Sequence, residues 1–238
     1  MGSIEVSEAN GVRYLHFGSG LVQGAMRIAR PWSLELEYTR EMLLPLLLAP
    51  RRGWPRSVLQ VGLGSASLTR FLHRHRPETR LTVVEIDPAV VAAARQFFRL
   101  PPPSPTLALE IGDAHEYLAT TRRRFDLILV DGFDGEGNAG MLETVPFYLN
   151  CRSRLNAGGM LSANLLTRWR SVEPVVRRLR EAFDGRVQVL PPCGAGNTVA
   201  IASAGQEIHL DPRALRAAAK RLARDTGLDL APTLARLG

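Results

Sequence analysis

The fold is indicated most clearly by the stretch Val58-Leu59-Gln60-Val61-Gly62-Leu63-Gly64-Ser65-Ala66-Ser67, in which an apolar run leads into two glycines. A helical pattern follows at residues 68–75. Glycines between a strand and a helix let the backbone approach a ligand that any Cβ would exclude. The motif is weak by itself, because Ser67 stands where the dinucleotide-binding pattern has its last glycine, and a purely structural turn is the alternative.

On either side of this stretch, short apolar runs alternate with helical patterns over most of the chain. Such alternation predicts a parallel sheet with helices on both faces. The predicted strands are residues 58–62, 81–86, 107–111, 125–130, 160–165, 187–190 and 198–202, and the predicted helices are residues 68–75, 89–98, 114–121, 145–155 and 172–183.

The last two predicted strands are joined by Pro191-Pro192-Cys193-Gly194-Ala195-Gly196-Asn197. A crossover between parallel strands needs about a dozen residues or more, so this short link predicts an antiparallel hairpin. Such a hairpin separates methyltransferase-type sheets from most dinucleotide-binding ones. We therefore expect an α/β protein with a class I methyltransferase-type, Rossmann-like fold and a mostly parallel seven-stranded sheet.

Residues 1–50 differ in pattern from the rest of the chain. Alternating runs at residues 11–17 and 21–28 predict a small β-hairpin, and residues 34–48 predict a helix. Residues 51–238 are expected to form one Rossmann-like domain that carries the functional site. The Asp211-Pro212 pair starts a further predicted helix that extends to about Thr226.

Composition limits the possible partners. A chain of 238 residues with 45% hydrophobic residues can bury a full core. The net charge of +7 invites a nucleic-acid interpretation, but the arginines are spread over many segments and aromatic residues rarely lie among them. This distribution does not favour nucleic acid as the substrate.

The sequence also gives expectations about compartment and metal content. No apolar run approaches the roughly 20 residues that a membrane helix needs. We expect a cytoplasmic enzyme with no membrane contact. Cys151 and Cys193 lack the spacing of metal ligands, which predicts two free thiols and no metal.

Acidic residues end the second and third predicted strands. Glu85 follows the glycines by about twenty residues and can accept hydrogen bonds from both ribose hydroxyls of NAD or of S-adenosylmethionine. Asp113 can accept the exocyclic amine of adenine while the backbone N–H of Ala114 meets a ring nitrogen; the alternative is that Asp113 only caps the next helix. Together with both glycines and Ile86, these residues predict an adenosyl site, with dinucleotide binding as the alternative.

Two further acids follow the fourth predicted strand. Asp131 comes directly after that strand, and Asp134 lies three residues further on. Ligands of open α/β sheets bind outside the carboxyl ends of the strands, so Asp131 should face the cofactor. The glycine-rich residues 135–140 can form a lid over a substrate. The concentration of acids at this edge of a basic protein suits a small cationic substrate.

The same region resembles the spermidine and spermine synthase family. The family has the pattern D-S-S/T-D-P, which is similar to Asp131-Gly132-Phe133-Asp134. Its pattern L-x-x-x-x-F-Y is similar to Leu142-Glu143-Thr144-Val145-Pro146-Phe147-Tyr148. Its pattern L-x-x-G-G-x-L is similar to Leu155-Asn156-Ala157-Gly158-Gly159-Met160-Leu161. The segment Leu21-Val22-Gln23 resembles a V-x-Q segment that contacts the adenosyl donor.

The resemblance implies aminopropyl transfer from decarboxylated S-adenosylmethionine to an amine such as putrescine, with release of methylthioadenosine. It implies that Asp131 is the general base and that Asp134 holds the amine. It also implies that Glu85 binds the ribose, Asp113 the adenine, and Gln23 the donor. A homodimer is implied as well, with the apolar residues 34–48 as a candidate subunit contact.

Two positions depart from the family pattern. Ser65 stands where the family has an aspartate that helps to bind the terminal amine of the donor, and Gly135 replaces a proline. A methyltransferase that uses S-adenosylmethionine therefore stays open as an alternative, as does a non-catalytic protein of the same fold that binds an adenosyl ligand.

Overall fold

The computed structural model describes residues 4–18, 22–49, 53–134, 137–168, 171–194 and 196–237. Two sheets organise these residues: a small one at the N-terminus and a large one that carries the functional site. Within the described residues, no helix has the length and apolar character needed to cross a bilayer.

The large sheet has seven strands in the order β6-β5-β4-β7-β8-β10-β9. Strands β4 to β8 pair in parallel, whereas β10 runs antiparallel to both β8 and β9. The predicted class I methyltransferase-type sheet with its terminal antiparallel hairpin is therefore confirmed. The strands are β4 Ser57–Val61, β5 Arg80–Glu85, β6 Leu107–Ile111, β7 Phe125–Val130, β8 Leu155–Leu166, β9 Val187–Val189 and β10 Asn197–Ser203.

Helices cover both faces of this sheet, and two of them begin at an aspartate cap. Asp87 and Asp113 each accept a backbone N–H two residues ahead, at 2.8 and 2.7 Å. Such caps satisfy one of the free donors at a helix start. The helices around the sheet are α3 Ser67–His75, α4 Pro88–Phe97, α5 Ala114–Thr120, α6 Val145–Arg154 and α7 Glu173–Ala182, with one 3-10 turn at Gly140–Glu143.

The N-terminal sheet contains three strands where the sequence predicted a hairpin of two. Strand β1 Ile4–Ala9 pairs antiparallel with β2 Val12–Phe17, which pairs with β3 Val22–Arg27. Strand β1 escaped prediction because four of its six residues are exposed, so its apolar pattern is weak. The sheet lies against the large sheet's glycine loop: a Cβ added to Gly24 would lie 2.4 Å from the Ser65 hydroxyl.

The prediction of one helix over residues 34–48 is wrong. The chain forms two short helices, α1 Glu37–Glu41 and α2 Pro45–Leu48. Pro45 explains the break, because its ring collides with the carbonyl four residues earlier and it has no N–H to donate.

The same segment is also a poor candidate for a subunit contact. The side chains of Met42, Leu43 and Leu44 are fully buried within this chain, in the cluster that covers one face of the large sheet. The apolar pattern that suggested an exposed contact is explained by the core.

Two helices follow the large sheet. The predicted tail helix is present as α8 Pro212–Thr226, capped by Asp211. A second helix, α9 Ala231–Arg236, was not predicted, because its six residues are too few for a helical period to be recognised. Helix α8 packs against α2, and α9 packs against α8.

Candidate functional site

A cavity of about 620 Å³ opens at the carboxyl ends of the large sheet's parallel strands, below the N-terminal sheet. Its position agrees with the rule that ligands of open α/β sheets bind at this edge. The sequence predicted nine site residues, and all nine line this cavity: Gln23, Gly62, Gly64, Glu85, Ile86, Asp113, Ala114, Asp131 and Asp134.

The glycine loop after β4 is shaped first by the chain's own backbone. Gly62 has a positive φ of 84°, and a Cβ there would lie 2.1 Å from the carbonyl oxygen of Asp131. No side chain fits at that distance. Gly62 is therefore needed to let the loop pass directly beside the end of β7, which brings the cofactor loop and Asp131 together.

Glu85 ends β5 and is 92% buried, since its residue exposure is 8%. One carboxylate oxygen accepts the backbone N–H of Leu63 at 2.7 Å, and the other accepts that of Asp87 at 3.0 Å. Burial raises the pKa of Glu85, and the two backbone N–H groups partly oppose that rise. The acid is fixed to the glycine loop in an orientation that still reaches the cavity.

Asp113 follows β6 and lies at the start of α5. Its side chain accepts the backbone N–H of His115 at 2.7 Å, so its capping role is present. Asp113 also lines the cavity together with Ala114. Capping fixes one oxygen of the carboxylate, and the position at the cavity wall allows the other to meet a ligand.

Asp131 follows β7 and lies at the centre of a hydrogen-bonded group. Its Oδ1 accepts the side-chain amide of Asn164 at 2.8 Å, and it also accepts a hydrogen bond from Tyr38. Burial raises the pKa of Asp131 to about 6; the bonds from Asn164 and Tyr38 oppose that rise, and the negative charge of Glu85 adds to it. A carboxylate with such a pKa can act as a proton acceptor near neutral pH.

The group extends one residue beyond Asn164, to Asn197, which also lines the cavity. The side-chain amide of Asn197 donates to Oδ1 of Asn164 at 2.9 Å, which leaves the Asn164 amide free to point at Asp131. Tyr38 is 93% buried, and its pKa is raised well above the ordinary value by burial and by the nearby Asp131 charge. Tyr38 therefore stays a hydrogen-bond donor to Asp131.

Asp134 is exposed and is hydrogen-bonded to Asn138. Its carboxylate accepts the backbone N–H of Asn138 at 2.8 Å and the side-chain amide of Asn138 at 3.3 Å. It lines the same cavity as Asp131, as do Met141 and Leu142.

Ser65 points away from the cavity. Its hydroxyl lies 3.0 Å from that of Ser67 and 3.4 Å from the carbonyl oxygen of Ala25, and the residue is only 2% exposed. Gly135 and Leu21, two positions named in the resemblance, lie outside the described residues.

Sequence reasoning missed Tyr38, Asn164 and Asn197. Asn164 interrupts the apolar strand β8 and Asn197 begins β10, and a buried asparagine in a strand is a signal that could have been used. Tyr38 gave no signal, because its function depends on how α1 crosses the end of the sheet.

The arrangement can bind a nucleoside and accept a proton beside it. Backbone groups of the glycine loop and two acids lie at the ends of β4, β5 and β6, and a proton acceptor lies at the end of β7. The described part of the chain has no cluster of three or more His, Cys, Asp or Glu side chains that could hold a metal ion. Sheet order and site together define the class: a methyltransferase-type protein with a ligand cavity at the carboxyl ends of its parallel strands.

Comparisons with known proteins identify the family within this class. The model of the spermine/spermidine synthase domain matches residues 38–190. A polyamine aminopropyltransferase of Neisseria meningitidis serogroup A is 36% identical over 236 residues, which cover 98% of this chain and 88% of the relative. One of Chromobacterium violaceum is 33% identical over 240 residues, covering 100% of this chain and 90% of the relative. The chain belongs to the spermine/spermidine synthase family and is a transferase.

A solved structure agrees with the fold. The crystal structure of a probable spermidine synthase from Corynebacterium glutamicum superposes with a TM-score of 0.76 at 22% identity, covering 92% of this chain and 83% of that one.

Proposed function

We propose that this protein transfers an aminopropyl group from decarboxylated S-adenosylmethionine to a small cationic amine such as putrescine, and releases methylthioadenosine. The observation that carries the proposal is Asp131: a half-buried carboxylate with a pKa of about 6, held by two donors beside the glycine loop. Both relatives named above are polyamine aminopropyltransferases.

The donor lies over β4, β5 and β6 in this proposal. Glu85 accepts the ribose hydroxyls, and Asp113 with the N–H of Ala114 binds the adenine edge, while Ile86 contacts the ring. The glycine loop at Gly62 and Gly64 passes close to the donor. Gln23 contacts the donor from the N-terminal sheet, so residues 1–50 complete the site of the domain formed by residues 51–238.

The transfer needs a neutral amine. A free amine has a pKa of about 10, so most of the acceptor is protonated at neutral pH. The Asp131 carboxylate accepts a proton from the ammonium, and the electron pair that this frees on nitrogen then attacks the carbon next to the sulfonium. The C–N bond forms, the C–S bond breaks, and the electron pair passes to sulfur to give a neutral thioether. Asp134 binds the distal ammonium of the acceptor.

Ser65 supports one alternative. The residue is a serine where the family has an aspartate, so the glycine loop offers no carboxylate at this position to the terminal amine of a decarboxylated donor. The Ser65 hydroxyl is itself hydrogen-bonded within the chain. A site built in this way fits S-adenosylmethionine itself and hence methyl transfer to an amine.

A product assay separates the two functions. The protein is incubated with putrescine or spermidine and either decarboxylated S-adenosylmethionine or S-adenosylmethionine, and the products are identified by mass. An aminopropylated amine from the decarboxylated donor supports the proposal. Methylated product alone establishes the alternative, and no product with any pair contradicts both.

We also propose that the enzyme is a cytoplasmic homodimer. The two described thiols, Cys151 and Cys193, are both free and buried, which fits a reducing compartment. Light scattering of the purified protein tests the dimer, and a monomeric mass at working concentration contradicts it.

A further inference from the structure

The C-terminal helix α9 ends in Arg236, whose guanidinium joins two acids of helix α1. One of its terminal nitrogens donates to Glu37 and the other to Glu41. Glu41 is fully buried, and it also accepts the hydroxyl of Thr233 at 3.3 Å. A buried carboxylate that is met by a guanidinium fixes the relative position of the two helices.

From Glu37 the connection continues to the hairpin loop before β10. The second oxygen of Glu37 accepts the backbone N–H of Gly194 at 3.2 Å. The loop closes on itself next to that point, since the backbone N–H of Cys193 donates to the carbonyl of Asn197 at 2.8 Å. Asn197 then bonds to Asn164, and Asn164 to Asp131.

A second route to Asp131 runs through α1 itself. Tyr38 is the next residue after Glu37 on that helix, and it donates a hydrogen bond to Asp131. Glu37 is therefore connected to both donors that hold Asp131: to Tyr38 through the helix, and to Asn164 through the loop and Asn197.

We infer that Arg236 and Glu37 are positioning residues for the reaction: they hold α1 and the hairpin loop so that Tyr38 and Asn164 both point at Asp131. The inference rests on the proposed role of Asp131 as the proton acceptor. It assigns to the unpredicted helix α9, outside the matched residues 38–190, a direct part in arranging the site.

Other charged groups also act on Asp131, and the test has to separate them. Glu85 approaches it from β5, and Tyr38 from α1. Asp134 and Arg168 line the same cavity, and Cys193 lies near Tyr38. A change in charge near α1 would shift the titration of Asp131 even without any change in position.

The variant Glu37→Ala makes the two effects opposite in sign. Loss of a negative charge alone lowers the pKa of Asp131, whereas loss of its two hydrogen-bond donors raises it. The matched control is Glu35→Ala, which removes the same charge two residues away, from the ion pair with Arg27 rather than from the connection to α9.

The measurement is the pH dependence of kcat/KM for the amine. In Glu37→Ala and in Arg236→Gln, the acidic limb of the kcat/KM profile is expected to move to higher pH. The value of kcat/KM near pH 6 should fall by up to about 100-fold, which is the effect expected of a displacement of about 1 Å. Glu35→Ala should not move the limb upward. Arg236→Gln leaves the buried Glu41 without its cation and can therefore destabilise the fold. The Glu37 side chain is 31% exposed, so Glu37→Ala disturbs the fold less and is the decisive variant.

A readout without turnover separates this inference from the proposed function. The carboxyl carbon of Asp131 is titrated by NMR in ¹³C-aspartate-labelled protein, and its signal is assigned by its loss in Asp131→Asn. An upward shift of its pKa in Glu37→Ala but not in Glu35→Ala supports the inference, whatever reaction is catalysed. The inference is overturned if the pKa of Asp131 falls in Glu37→Ala, or if it shifts equally in Glu37→Ala and Glu35→Ala. A failed product assay overturns only the proposed function.

Discussion

At the scale of single residues, the chemistry of this protein depends on how Asp131 is held. Its carboxylate is buried enough to take up a proton near pH 6, yet two side-chain donors keep it in place as an anion. Catalytic bases need such a compromise, because a group that ionises at too low a pH is a weak proton acceptor.

The pH dependence of the reaction should report this residue. The carboxylate form is the active one, so kcat/KM should fall as the pH drops through about 6. The variant Tyr38→Phe lacks the hydroxyl whose hydrogen bond lowers the pKa of Asp131. The acidic limb of the kcat/KM profile should therefore move to higher pH. Steady-state rates between pH 5 and 8, values that bracket this pKa, are the measurement. A limb that stays in place in Tyr38→Phe would show that the tyrosine does not act on Asp131.

Donor affinity should depend on Glu85. The substitution Glu85→Ala removes the predicted ribose acceptor and also the partner of the Leu63 N–H. Hydrogen bonds to a charged group contribute about 1.5–3 kcal/mol, so the Kd for methylthioadenosine should rise roughly 10- to 150-fold. Calorimetric titration measures it, with Glu110→Ala as a control at the exposed end of β6. Equal affinity in Glu85→Ala and the parent protein would remove Glu85 from the site.

At the scale of secondary structure, the large sheet and the hairpin of β2 and β3 could be predicted, whereas β1 and the break between α1 and α2 could not. Strands β4 and β7 are almost wholly buried, so their sequences are mostly apolar. Helix α1 has only five residues and its end is set by Pro45, so the apolar pattern of residues 34–48 suggested one longer helix.

The acids at the strand ends could be predicted for the same reason. Each follows a recognisable strand, and parallel strands bring their carboxyl ends to one edge. Tyr38 and the Asn197–Asn164 pair could not be predicted, since they reach Asp131 from elements far away in sequence. Their positions follow from the packing of α1 and the terminal hairpin, which no local pattern encodes.

The glycine loop should tolerate no side chain at Gly62. A Cβ there would lie 2.1 Å from a backbone oxygen, so Gly62→Ala must displace either the loop or the end of β7. Overpacking of this kind destabilises by about 1–3 kcal/mol, in addition to the strain of the positive φ. Gly11→Ala isolates the strain alone, because Gly11 has a φ of +73° and nothing within 4 Å of its added Cβ. Urea denaturation compares the two, and equal losses would contradict the close approach described.

At the scale of the whole molecule, charge is distributed unevenly. The chain carries a net charge of +7, but the charged residues lining the described cavity are Glu85, Asp113, Asp131 and Asp134 against Arg168. A basic surface around an acidic cavity favours a small cationic substrate within the cavity.

Binding of nucleic acid should accordingly be weak and strongly dependent on salt. Contacts of scattered arginines with phosphates release counterions, and affinity then falls steeply as salt increases from about 50 to 200 mM. Fluorescence anisotropy with a labelled duplex measures this dependence. Tight and sequence-selective binding at physiological salt would instead point to a nucleic-acid substrate.

The proposed chemistry depends on Asp131 as the proton acceptor in aminopropyl transfer, and a single-turnover comparison tests that role most directly. Parent protein and Asp131→Asn are each saturated with decarboxylated S-adenosylmethionine, mixed with putrescine at pH 8, well above the pKa of Asp131 of about 6, and quenched for product analysis by mass. The asparagine keeps the shape and removes the base, so the rate of transfer should fall about 10²- to 10⁴-fold while the donor affinity stays within a few-fold. Equal rates in the two proteins would contradict the account.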